Sequence, residues 1–282
     1  MKKHLAGIIP VSGIKSDFNM PWHESLMPIA PNYLAIERSV LECAYAGCRT
    51  IWIVCDDDVT PLIRYQLGEV VQDPVYNYRH FEHNKQDFKR PIRIYYVPVH
   101  IRDVDKRNSL SWSAIYGAFS ANKVLSKVSA HLAPNHFWVS WPYGYYPPSV
   151  TRGIRKTIAK DSAALVFDDK CFGDNLYLGF SLNIEQVKNL ISEAYTRSSG
   201  LWVDPDVRDK KISLDKRYSY KNFDIKKTFE TLNINDYKKE NISSYYNLDN
   251  WADYCHFLSH NEISKPKILK SREWNEIGCD EE

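Results

Sequence analysis

The sequence predicts an α/β protein: a mostly parallel sheet flanked by helices, followed by a small C-terminal helical appendage. Three observations predict it. Short apolar, β-rich runs (Leu5–Val11, Thr50–Cys55, Pro91–Val99, His136–Trp141, Ala163–Phe167) alternate with segments whose apolar residues recur at helical spacing (Tyr33–Ala46, Ser109–Ser129, Asn183–Ser192). That strand–helix–strand alternation is what a parallel sheet with crossover helices requires. From Gly200 the composition shifts to Lys, Asn, Asp, Ser and Tyr with fewer aliphatics, so residues 1–200 are expected to form the α/β domain and 201–282 the appendage.

Leu5–Val11 reads as the first strand, and Ser12-Gly13 after it is a turn signal. In the helix predicted over Tyr33–Ala46, Leu34, Val40, Leu41 and Ala44 share a face, and Gly47 stands where a left-handed residue ends a helix. Thr50–Cys55 is apolar on both faces, as a central strand must be. Asp56-Asp57-Asp58 follows it. Three carboxylates there suit a hard cation, but they equally suit a helix start, with Thr60 or Asp58 as cap and Pro61 in the first turn. Capping is the preferred reading, with a helix over Pro61–Val71. Gln72–Arg90 is polar and aromatic, a long excursion before the strand Pro91–Val99. Ser109–Ser129 carries Ile115, Phe119, Val124, Leu125 and Val128 at helical spacing, with Ser113 a candidate cap near its start. Ser149–Lys160 predicts a helix with a basic face (Arg152, Arg155, Lys156, Lys160), read as solvated. A further strand is expected at Leu176–Phe180, and helical pieces at Asp224–Leu232 and Leu248–Leu258.

Composition narrows the class. In 282 residues, 37 basic and 35 acidic side chains leave a net charge of +2, which gives no nucleic-acid signal. No apolar run is long enough to span a bilayer and no signal-peptide pattern opens the chain, so a cytoplasmic location is expected. Six scattered cysteines without a Cys-x-x-Cys pair read as reduced thiols. Nineteen tyrosines and eight tryptophans exceed ordinary usage, and predict aromatic surface for a ligand groove, a homo-oligomer or a protein partner.

A resemblance adds to this. Ala6-Gly7-Ile8-Ile9-Pro10-Val11-Ser12-Gly13, then Leu26-Met27-Pro28-Ile29, Ile36-Glu37, and Ala46-Gly47-Cys48-Arg49-Thr50-Ile51-Trp52-Ile53-Val54 resemble the N-terminal pattern of sugar-phosphate nucleotidyltransferases. The resemblance covers roughly residues 4–190 and implies a Rossmann-like, GT-A/nucleotidyltransferase-like fold. It implies that Lys15, Ser16 and the Ser12–Gly13 amides contact phosphates and that Ser113 helps seat a nucleotide. The catalytic positions depart from the family pattern. Lys15 replaces the second loop glycine, Asp17 the arginine, and Glu24 falls near the family's lysine. The strand His136–Trp141 ends in Ser140-Trp141, not in the aspartate that binds catalytic magnesium. Asp174, and next Asp169, are the substitute metal ligands, with Gly173 in a turn as the competing reading. Lys15 and Asp174 are then the catalytic candidates. Trp141, Tyr143 and Tyr145 form an expected aromatic lip able to stack on a sugar or base.

The function expected is nucleotide or nucleotide-sugar binding, with transfer of a nucleotidyl group to a sugar phosphate if Mg²⁺ is held. Two alternatives stand beside it: a non-catalytic scaffold on the same fold, and a glycosyltransferase using a nucleotide sugar.

Overall fold

The computed structural model describes residues 4–13, 20–77, 91–198, 223–260 and 263. An eight-stranded sheet runs through its middle in the order β11-β9-β10-β7-β1-β4-β6-β5. The strands are β1 (Leu5–Pro10), β4 (Thr50–Cys55), β5 (Val70–Gln72), β6 (Pro91–Pro98), β7 (His136–Val139), β9 (Ala163–Val166), β10 (Phe180–Asn183) and β11 (Lys238–Asn241). Two small ribbons accompany it: β2 (Pro28–Ala30) with β3 (Tyr33–Leu34), and β8 (Gly144–Tyr145) with β12 (Tyr246–Asn247). The pairs β1–β4, β1–β7, β4–β6 and β9–β11 are parallel; β10 is antiparallel to both neighbours, and β5 to β6. The expected α/β class with a mostly parallel sheet is what forms.

Both sheet faces are covered. Alternation along β1 sends Ala6 and Ile8 to one side and Leu5, Ile9 and Val11 to the other. The first side meets α5 (Leu110–Val128) and α7 (Ile184–Arg197). The second meets α1 (Ala35–Ala46), α2 (Thr60–Leu67) and α6 (Val150–Ile158). α1 starts with the Leu34 N–H donating to Glu37 and stops at Gly47, whose φ of +89° closes the helix with its N–H on Ala44 O. Short helices α3 (Pro74–Asn77) and α4 (Ile101–Arg107) lie in the connections that flank β6.

Several expectations shift. The helix predicted over Pro61–Val71 ends at Leu67, because Gly68 adopts φ +73°; the chain then turns into the edge strand β5. Its N-cap is Val59, with neither Asp58 nor Thr60 capping by side chain, while the Thr60 hydroxyl donates to Asp56 O at 2.8 Å. The strand expected at Leu176–Phe180 begins at Phe180. Its upstream backbone is taken by tyrosine hydroxyls, Tyr177 N donating to Tyr245 Oη and Gly179 N to Tyr146 Oη.

The segment after residue 200 holds the helices α8 (Ile225–Thr228) and α9 (Trp251–His260). It also supplies β11, an edge strand that the sequence pattern Lys238-Lys239-Glu240-Asn241 gives no apolar reason to expect. Phe223, Ile225, Phe229 and Tyr237 enter the same core as Phe172 and Phe180. Tyr254 and Phe257 of α9 pack with Met27, Ile29 and Tyr33, and the Tyr254 hydroxyl donates to Pro28 O at 2.7 Å. Among the described residues no helix is long and apolar enough to cross a membrane. Cys43, Cys48, Cys55, Cys171 and Cys255 are free thiols.

Candidate functional site

The chain leaves β1 toward β4 on one side and returns on the other side at β7. Connections therefore diverge from the carboxyl ends of β1 and β7, and such switch points are where open α/β sheets hold ligands. The residues following β1 stand there. Val11 N and Ser12 N both donate to Val54 O, at 2.8 and 3.0 Å, so the loop starts pinned to β4.

Ser12 is the hub. Its hydroxyl donates to Asp56 Oδ1 at 2.6 Å, and the Asn108 side chain stands 3.1 Å away. A hydroxyl has one proton, so Asn108 meets it best with its amide NH₂ turned toward the oxygen. Gly13 has φ +85°, and a Cβ there would lie 2.5 Å from the Ser109 carbonyl carbon. Only glycine lets this turn rest on Ser109. Ser109 in turn caps α5, its Oγ accepting from Trp112 N at 3.2 Å. One turn into the helix, the Ser113 hydroxyl donates to Ser12 O at 2.8 Å. The turn after β1 is thus fastened across the N-terminus of α5, the positive end of a nineteen-residue helix.

The walls of this mouth are acidic. His23 lies close enough to Glu24, Asp56 and Asp58 to feel all three, yet burial pushes its pKa below the ordinary histidine value against their pull. Its Nδ1 accepts from Ser25 N, which needs the neutral ring. The Tyr143 hydroxyl donates to Val11 O at 2.9 Å; burial drives its pKa up, with Glu24 adding to the effect. Burial likewise pushes the Cys55 thiol, at the end of β4, up to about 11.

The fold places the residues singled out by sequence as follows. Ser12, Gly13 and Ser113 come together. Lys15 and Ser16 lie outside the described residues. The aromatic lip is corrected: Trp141 and Tyr143 are fully buried and Tyr145 nearly so, leaving no ring face for a ligand. Trp141 Nε1 donates to Leu178 O, Trp141 stacks on Phe180, and Tyr145 packs on Phe257. Tryptophan and tyrosine here fill a core while their polar atoms find backbone partners. Among the described residues the exposed large aromatics are instead Trp22, Tyr65, Tyr195 and Trp251.

Asp169 and Asp174 lie in the β9–β10 connection, two to three strand spacings from β1, roughly 10–14 Å along the sheet. Both are exposed. Asp169 has φ +61° in a turn, and the Asp174 carboxylate accepts from Cys171 N at 3.1 Å. Among the described residues no group of three or more His, Cys, Asp or Glu side chains is arranged to hold a metal.

Two site residues escape sequence reasoning, Asn108 and Ser109, and a third, Asp56, is there read only as a helix-start or cation residue. Their signal was positional: Asp56 directly follows a central strand, and Asn108-Ser109 directly precedes the longest helix. The position after β7 holds a different surprise. Ser140 is buried, and its hydroxyl donates to Glu42 of α1. Glu42 also accepts from Trp138 Nε1 at 2.9 Å and the Tyr146 hydroxyl at 2.8 Å, and pairs with fully buried Arg38 at 3.0 Å.

No family model matches this chain, and no curated protein does. Solved structures do match, and they show a nucleotidyltransferase-like α/β fold. One is a Bacillus anthracis protein assigned as a glucose-1-phosphate thymidylyltransferase, at TM-score 0.54 and 8% identity over 93% of this chain and 98% of that one. A nucleoside-diphosphate-sugar pyrophosphorylase from Vibrio cholerae matches at TM-score 0.50 and 13% identity, over 90% and 100%. The Mycobacterium tuberculosis protein Rv0371c matches at TM-score 0.50 and 10% identity, over 92% and 100%.

Proposed function

We propose that the chain binds a nucleotide or nucleotide sugar at the carboxyl edge of β1, β4 and β7. One observation carries this reading: the Ser12–Gly13 turn is held across the N-terminus of α5 by the Ser113–Ser12 hydrogen bond and by the Gly13–Ser109 approach. A turn of backbone at a helix's positive end is a ready anion site. The fold neighbours named for thymidylyl transfer and nucleotide-sugar chemistry support the same ligand class. In this reading the Gly13 amide, with Lys15 and Ser16, takes the phosphates, the Ser12 amide being already given to Val54 O. Asp56 fixes the Ser12 hydroxyl, and Ser113 holds the turn in shape.

Nucleotidyl transfer in this fold calls for Mg²⁺ to neutralise charge on the reacting phosphoryl group. The candidate ligands Asp174 and Asp169 stand two to three strands from the mouth, and among the described residues no further His, Cys, Asp or Glu joins them in a metal-holding group, so no transfer step is assigned through the ion. The second reading, a non-catalytic binding module on the same scaffold, is favoured by Ser140. A hydroxyl committed to a buried Glu42 stands where a metal-holding carboxylate would be needed.

Calorimetric titration with a panel of nucleoside triphosphates and nucleotide sugars, each with and without Mg²⁺, tests both. Binding in the micromolar range, weakened at least tenfold in Gly13→Ala and unaffected by Mg²⁺, is the expected result. Binding that requires Mg²⁺ and is lost in Asp174→Ala would restore the transferase reading. No binding to any member of the panel would end the nucleotide reading altogether. Release of free sugar or its transfer from a nucleotide sugar would point to a glycosyltransferase.

A further inference from the structure

A second anion site lies at the other end of the sheet. The Arg155 side chain rests against Gly47, the residue that closes α1 just before β4 begins, so this part of α6 stands at the amino-terminal edge of the strands, away from the mouth. A groove of about 630 Å³ opens there, lined by Val75, Arg152, Gly153, Arg155, Lys156 and Lys160. The volume falls in the range of small-molecule sites, roughly 300–1,000 Å³.

Three features set it apart from an ordinary solvated helix face. First, Arg152 and Lys156 fall at i and i+4 on α6, about 6 Å apart along its axis, and Lys160 follows in the turn that leaves the helix. Each is exposed, and among the described residues no carboxylate pairs with any of them. Like charges at i, i+4 work against a helix. Second, Arg155 beside them is fixed. Fully buried Asp73 holds its guanidinium, with Nη1 to Oδ1 at 3.2 Å, and leaves it partly open to the groove. Third, Gly153 sits in the middle of this helix, and a Cβ there would meet nothing within 4 Å. No packing or backbone demand explains a glycine that weakens the helix relative to alanine. It lines the groove beside the cations without a side chain.

We propose that this groove binds a small anion carrying at least two phosphate groups. Arg152, Lys156, Lys160 and Arg155 take the phosphate oxygens, while Val75 and the backbone at Gly153 form an uncharged floor. The site is independent of the mouth and does not rest on the nucleotide reading.

Inorganic tripolyphosphate, pyrophosphate and phosphate titrated calorimetrically into the full chain in Mg²⁺-free buffer test it, with three variants alongside. Gly153→Leu puts an apolar side chain into the groove from a Cβ position with no atom within 4 Å and removes no charge; Lys156→Gln/Lys160→Gln removes charge and keeps the space; Ser113→Ala addresses the mouth. The expected result is that tripolyphosphate binds more tightly than phosphate, that Gly153→Leu and Lys156→Gln/Lys160→Gln each weaken it at least tenfold, and that Ser113→Ala changes it less than twofold. Both groove variants should melt at or above the temperature of the unaltered chain, which separates lost binding from lost folding. The proposal is overturned if tripolyphosphate does not bind at millimolar concentration, if neither groove variant shifts its affinity by more than twofold, or if only Ser113→Ala does.

Discussion

The Ser113 hydroxyl donates to the Ser12 carbonyl at 2.8 Å, joining two residues 101 positions apart. That bond links the turn after the first strand to the first turn of the longest helix, and both partners are buried. Ser113→Ala leaves a buried carbonyl with one partner fewer, at an expected cost of about 1–3 kcal/mol. Urea unfolding followed by tryptophan fluorescence measures it, and an unchanged midpoint would refute the bond's role.

Gly13→Ala should be worse. It forces a side chain into φ +85° and sets its Cβ 2.5 Å from the Ser109 backbone, which cannot step aside without loosening α5. Strain of this kind costs on the order of 1–3 kcal/mol before the clash is counted. Loss of stability larger than that of Ser113→Ala, together with weakened ligand binding, is the expected pair of results.

Glu42 gathers Arg38, Trp138, Ser140 and Tyr146 around one buried carboxylate. Glu42→Ala strands the Arg38 charge in the core, and breaking a buried pair in this way costs about 3–5 kcal/mol. Glu42→Gln, which keeps the shape and part of the hydrogen bonding, should cost less. Equal losses for the two variants would show that the charge pairing, which both remove, is what Glu42 provides, and not the packing that Gln keeps.

His23 gives the fold an acid sensitivity. Burial holds its folded pKa below the ordinary value of 6.5, so the unfolded chain binds the proton more readily. Stability from the neutral ring is full above pH 6.5 and falls as pH drops from there toward the folded pKa. Protonation at Nδ1 also removes the acceptor for Ser25 N. His23→Asn keeps a capping oxygen without a titrating group, so its urea midpoint should change less between pH 7 and 5 than that of the unaltered chain. A parallel fall in both would assign the sensitivity elsewhere.

Much of the core scaffold was readable in advance because its strands are apolar on both faces and its helices are periodic. Thr50–Cys55 begins and ends where its run of apolar residues does, and Gly47 ends α1 as its missing Cβ allows. Short or polar elements carried no such signal. β11 is Lys-Lys-Glu-Asn, held by backbone pairing to β9 and not by side-chain burial, and β5 is three residues long. The aromatic run after β7 misled for a related reason. Composition says how many large rings a chain has, while only packing says which of them face water.

The order of strands and helices, the Ser12-Gly13 turn and the helix it meets were fixed by local pattern, since periodicity and a glycine's freedom act over a few residues. The company kept at the mouth was decided by the tertiary fold alone. Ser12, Asp56 and the Asn108–Ser113 run come from three separate stretches of chain, and nothing in any one of them encodes the others' distance. The same holds for the groove beside α6, where a face that reads as ordinary solvated charge becomes a lined cavity only because Val75 closes one side of it and Asp73 locks Arg155 in place.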